Sequence, residues 1–188
     1  MAKTGFRYPK VCKITETNGV EALETGFQIG KGVKVSITPK TAKKIMFGDD
    51  GPAESANMFT GGDGTLEIDE ISLENLAKIA GATVSAEVQT KGEVTYAIGD
   101  TPPFFRYGHI GRILKNNVVS YRVTVYAKVQ FSIPQEELET QGEEISLKTA
   151  SLSMTLFRNL EGKWRWQQEF ATLAAAETYL NSKVAITV

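Results

Sequence analysis

The chain has 188 residues, enough for one domain with a real core, and its 41% apolar and 23% charged content is that of an ordinary globular protein. Twenty-one basic residues against 22 acidic ones leave a net charge of -1, which gives no support to a whole-surface binder of nucleic acid or membrane. No window approaches the roughly 18 continuous apolar residues of a membrane span, and the start MAKTGFRYPKVCKITE lacks the apolar stretch of a secretory signal. Cys12 is the single cysteine, so no intrachain disulfide can form and a reducing cytosol is the expected compartment.

The first thirty or so residues show no clear period. Val33, Val35 and Ile37 then alternate with polar neighbours as a strand does. Residues 48–64, GDDGPAESANMFTGGDG, have neither alternation nor helical period and read as a loop or arm far longer than a hairpin needs. Leu66 and Ile68, with Glu67 and Asp69 opposite, resume the alternation. In SLENLAKIAG, Leu73, Leu76, Ala77 and Ala80 share a helical face, Ser72 is a fitting N-cap and Gly81 a fitting C-terminal stop. Val84, Ala86 and Val88 alternate next, and Lys91-Gly92 marks a turn joining residues 84–90 to 93–98.

The clearest strand is VSYRVTVYAKVQF, where Val119, Tyr121, Val123, Val125, Ala127, Val129 and Phe131 take one face and polar residues mostly the other. Ala150, Leu152, Met154 and Leu156 alternate in turn. A turn at Glu161-Gly162 makes residues 154–160 and 163–170 a predicted hairpin, with Trp164, Trp166 and Phe170 as its aromatics. In TLAAAETYLN, Thr172 caps a second short helix that presents Leu173, Ala176 and Leu180. The expected fold is mainly β: a β-sandwich or small barrel with two short helices packed on it.

The chemical inventory is thin. Asp49, Asp50, Glu54, Asp63, Glu67 and Asp69 crowd one segment, but neither DDG nor GDG continues into a calcium-loop ligand set, so they read as turn residues rather than a metal site. His109, the only histidine, lies in RYGHIGR and reads as a loop residue beside a strand; no local base or nucleophile accompanies it. Trp164 and Trp166 read as core aromatics, and Arg106, Arg112, Lys115 and Arg122 as a charged rim. No constellation meets the geometry of an active site, so no catalytic residue, metal or cofactor is expected, and the chain is not read as an enzyme.

The order of these pieces is familiar: KIMFGDD, a loop, TLEIDEISLENLAKIAG, PPFFRYGHIG, the long strand, and LFRNLEGKWRWQQEFATLAAAETYL. It resembles the major tail proteins of long-tailed bacteriophages, the phi13-type tail tube family, over most of the chain. The resemblance implies a single tail-tube domain over residues 1–188, with the arm at 48–64 and without the immunoglobulin-like module that many members append. It implies hexameric rings that stack into a hollow tube, through which DNA passes without specific binding. The partners it implies are further copies of the chain and other tail proteins: tape measure, initiator or baseplate, and terminator. The place it implies is the virion tail, after synthesis in the host cytoplasm; no membrane is involved.

On this reading the arm locks one ring to the next, with Asp49, Asp50, Glu54, Met58, Phe59 and Asp63 in the contact. Met58 and Phe59 are its large apolar residues, and burial against a neighbour is worth on the order of 2 kcal/mol each; the alternative is that they fold back on their own subunit. Lys34, Ser36, Glu67 and Asp69 are expected to point away from the core, toward the lumen or a neighbour. Two other readings remain open: a carbohydrate- or ligand-binding β-sandwich using Trp164, Trp166 or Tyr107, and a single-ring relative such as a terminator or hub.

Overall fold

A computed structural model describes residues 2–48, 51–85, 93–133 and 149–186. In chain order these form β1 (Ala2–Thr17), β2 (Val20–Leu23), β3 (Phe27–Gln28), β4 (Gly32–Gly48), β5 (Gly51–Ile68) and α1 (Leu73–Ala80). There follow β6 (Thr83–Ser85), β7 (Glu93–Thr95), β8 (Phe104–Lys115), β9 (Val118–Phe131), β10 (Ala150–Phe157), β11 (Arg165–Phe170) and α2 (Leu173–Lys183). The fold is mainly β with two short helices. Nine strands join one antiparallel sheet in the order β2-β1-β8-β9-β10-β5-β4, with β3 also on β1 and β11 also on β9. The pair β6–β7 stands apart, with Thr83 opposite Thr95; the turn expected at Lys91-Gly92 lies outside the described residues.

The sheet curls until β4 comes up against β1: a side chain on Gly32 of β4 would overlap the Phe6 ring of β1. The curl encloses one core, built from Val11, Phe105, Tyr107, Val129, Phe131, Leu66, Ile68 and Leu152, with Ile79 of α1 beside them. A second core forms where α2 lays Ala176 and Leu180 over Cys12, Ile110, Val123 and Val125. Gly108 makes room for this helix: a Cβ there would lie 2.5 Å from Leu180 Cδ1. Lys10 ties the two elements by donating to Asn181 Oδ1 at 2.8 Å and to Glu177 Oε1 at 3.0 Å.

Strand β9 serves both cores, which the simple alternation does not foresee. Phe105 pairs with Val129 but Tyr107 with Tyr126, so Ala127 and Lys128 together oppose one residue of β8. This bulge shifts the phase by one residue. Val123 and Val125 face α2, whereas Val129 and Phe131 face the enclosed core. The expected single apolar face is therefore two half-faces. A matching bulge at Tyr8–Pro9 of β1, where Tyr8 has φ 54°, lies on the other side of β8 and opposite His109.

Three further expectations are corrected. Residues 154–160 and 163–170 do not form a hairpin: β10 pairs with β9 from Met154↔Phe131 to Phe157↔Lys128, and β11 continues along β9 from Arg165↔Tyr126 to Phe170↔Tyr121. The turn around Gly162 (φ 78°) is real, but it carries an excursion between two collinear strands where β9 bulges. His109 sits inside β8, not in a loop, with its ring 5.3 Å from Phe6 and 5.4 Å from Tyr107. Finally, from Gly51 onward the segment 48–64 is strand: β4 and β5 pair from Gly32↔Ile68 to Gly48↔Gly51. Glycine, proline and alanine give it poor strand propensity; an equally long partner supplies the ladder.

Both helices match their predicted caps. Ser72 Oγ accepts from Asn75 N–H at 3.3 Å, Gly81 closes α1 at φ 74°, and Thr172 Oγ1 accepts from Ala175 N–H at 3.4 Å. The face of α1 is turned from the expected one, however, burying Ile79 with Ala77 and Ala80 and leaving Leu73 exposed.

Candidate functional site

The β4–β5 hairpin divides into a root and an arm. Over the root, β10 covers the outer side of β5 from Ala150↔Ile68 to Leu156↔Gly62. Beyond Gly62, β5 pairs only with β4 among the described residues. The arm from Phe59 back to Gly51 would span roughly 30 Å at the usual strand rise. At the junction Gly62 fits close beneath Pro39, where a Cβ would crowd Thr38 O at 2.9 Å, and Gly61 has φ 157°. Thr60 is an extra residue here, because Lys40 pairs with Gly61 and Thr41 with Phe59.

Met58 and Phe59, adjacent in the strand, face opposite sides, and the bulge sets which of them faces inward. Phe59 turns inward, half-buried beside the enclosed core, and stacks on Trp164 with ring centres 4.3 Å apart and planes 7° from parallel. Met58 turns out and is 65% exposed. The two were expected to act as a pair, either offered to a neighbour or folded back; in the structure Phe59 folds back on its own subunit and Met58 is left exposed. Asp49, Asp50 and the Glu54 side chain lie outside the described residues. Asp63 is not in the arm but in the root, exposed and ion-paired with Lys40.

The outer face of the root carries the other expected residues. Lys34, Ser36 and Asp69 are exposed and Glu67 is half-buried, with Lys34 Nζ 3.4 Å from Glu67 Oε1. Asp69 Oδ1 accepts from the backbone N–H of Lys31 at 2.7 Å and of Glu70 at 2.8 Å. Those N–H groups, Lys31 first, hold the carboxyl below the usual carboxylate range. Beside them lies a shallow groove of about 300 Å³ lined by hydroxyls: Ser36, Thr38, Thr65, Ser132, Ser153 and Thr155.

Charge is sorted between the two strands. Within β4 stand Lys34, Lys40, Lys43 and Lys44 without an acid; within β5 stand Glu54, Asp63 and Glu67 without a base. Ion pairs between the strands therefore reinforce their register. This sorting, read with the Asp-Gly turn signal at Asp50-Gly51, is the sequence cue that identifies 32–68 as one hairpin. Trp164 as the partner of Phe59 had no such cue, because the two residues meet only through separate bulges.

Cys12 is fully buried, which pushes its thiol up to about 11. Tyr107 is likewise buried and its phenol is pushed well above its ordinary value. Trp166 lies on the α2 side with Arg106 and Lys183 at 5.1 and 5.6 Å from its ring. Tyr107, Trp164 and Trp166 thus do not share an exposed face. Among the described residues no group of three His, Cys, Asp or Glu is arranged to hold a metal. Among the described residues, no helix is long and apolar enough to cross a membrane. No protein-family model matches the chain, and no curated protein matches its sequence.

Proposed function

We propose that the chain is a structural subunit that self-assembles into the stacked hexameric rings of a phage tail tube. The observation that carries this reading is the arm: a two-stranded ribbon continuing past the last β10 pair, with Met58 held outward on it. A compact subunit gains little from such a ribbon, whose apolar residue is worth on the order of 2 kcal/mol only when a neighbour buries it. The order of sequence elements that resembles tail tube proteins supplies the identity of that neighbour as another copy.

Unpaired strand edges support the same reading. The far edge of β4 has no partner within the described sheet, and β2 ends the sheet on the other side. Joining β4 of one copy to the sheet of the next satisfies those backbone groups and closes a ring. The arm then makes a heterologous contact between rings, which repeats without closing and gives a tube. The hydroxyl-lined outer face of the root, with its lysines paired to Asp63 and Glu67, suits a wall past which DNA slides, since unpaired cations would hold phosphate.

Electron microscopy of the concentrated protein, alone and with tail initiator components, tests this. Rings or tubes are expected. A single ring that never stacks would identify a terminator or hub instead, and persistent monomers in both conditions would overturn the proposal.

A further inference from the structure

A ribbon of two strands is marginal in water unless something supports it. Past Gly62 the arm leaves the support of β10, and a ring contact takes over: Phe59 flat on Trp164. Trp164 is itself firmly placed. Its carbonyl accepts the N–H of Ala127 at 2.9 Å, at the β9 bulge. The Arg165 guanidinium lies 4.4 Å from its ring, and the Tyr126 ring 6.4 Å away. Phe59 reaches it only because Thr60 is an extra residue; without that shift of phase Phe59 would face the side of Asp63 and Thr65. Two bulges, far apart in sequence, thus converge on one stack.

We propose that Phe59 and Trp164 are positioning residues, whose stack fixes the angle at which the arm leaves its subunit. This deepens the assembly reading and rests on it: an arm already aimed loses less conformational freedom when it docks on a neighbouring copy. The Gly61-Gly62 junction alone would not supply that aim, because glycine leaves the backbone free to swing.

The test uses the full chain with Cys12→Ala and two introduced thiols, Lys43→Cys on the arm and Ala174→Cys on α2, spin-labelled for pulsed distance measurement. The parent is expected to give one narrow distribution. Phe59→Ala is expected to widen it several-fold, Trp164→Ala likewise, and Phe59→Trp to restore it, with circular dichroism checking that each variant folds. A Phe59→Ala distribution as narrow as the parent's overturns the inference. Assembly is read separately by light scattering. Loss of the stack is expected to slow it about tenfold at equal concentration, and equal rates would show that the joint does not serve assembly. Should the parent itself never assemble, the tube reading falls, while the distance widths still decide whether the stack aims the arm.

Discussion

The body of the sheet and the arm use the same antiparallel ladder but are stabilised differently. In the body, β9 is buried on both faces from Val123 to Ala127, under α2 on one side and against the enclosed core on the other. In the arm, β4 and β5 hold each other, and Phe59 on Trp164 anchors the base. Backbone hydrogen bonds therefore shape both regions, and apolar burial on two faces adds to them in the body. The body carries its own stability. At the base of the arm Met58 stays exposed, which is the property the proposed connector requires.

Substitutions that separate the two regions sharpen this contrast. The largest effect is expected in the body: Phe105→Ala removes a fully buried ring packed against Phe27 and Phe131 and should cost about 3–5 kcal/mol, much of the stability of a domain this size. Denaturant unfolding measures it, and a loss below 1 kcal/mol would break the picture of a tight body.

A smaller effect comes from Cys12, whose native thiol keeps its proton up to about pH 11 because it is buried. The unfolded thiol ionises near pH 8.5, so the native state holds the extra proton between the two values and stability falls as pH rises through that window. The loss should be on the order of 3 kcal/mol, and Cys12→Ala should flatten it. An unchanged slope in that variant would assign the effect elsewhere. The smallest effect on folding is expected in the arm: Met58→Ser should move subunit stability by no more than about 0.5 kcal/mol, yet weaken association measured by sedimentation.

Local signals in the sequence led to local features of the fold. The caps Ser72, Gly81 and Thr172 fix the helix ends through hydrogen bonds and backbone angles that a few adjacent residues determine. The alternations at Val123–Val125 and at Leu152–Leu156 marked strands for the same reason. What stayed hidden depends on pairs of strands. A bulge exists only relative to a partner, so the change of face at Ala127–Lys128 and the phase shift at Thr60 that turns Phe59 inward and Met58 outward have no signature in one strand. The arm was hidden because its Gly, Pro, Ala and Asn residues suit turns, while the ladder that makes it strand comes from β4. Of the candidate site, Lys34, Ser36 and Asp69 were legible as positions pointing away from the core. The role of Trp164 was not, since it rests on contacts across more than one hundred residues.

The central claim is that the arm links copies of the chain without supporting its own subunit. The most direct measurement compares the assembly state, across concentrations, of the parent and of a variant in which residues 43–57 are replaced by Asn-Gly, by sedimentation and electron microscopy. The parent is expected to pass from subunits to rings and tubes, and the shortened variant to stay folded but not stack. Tubes of normal form from the shortened chain would contradict it.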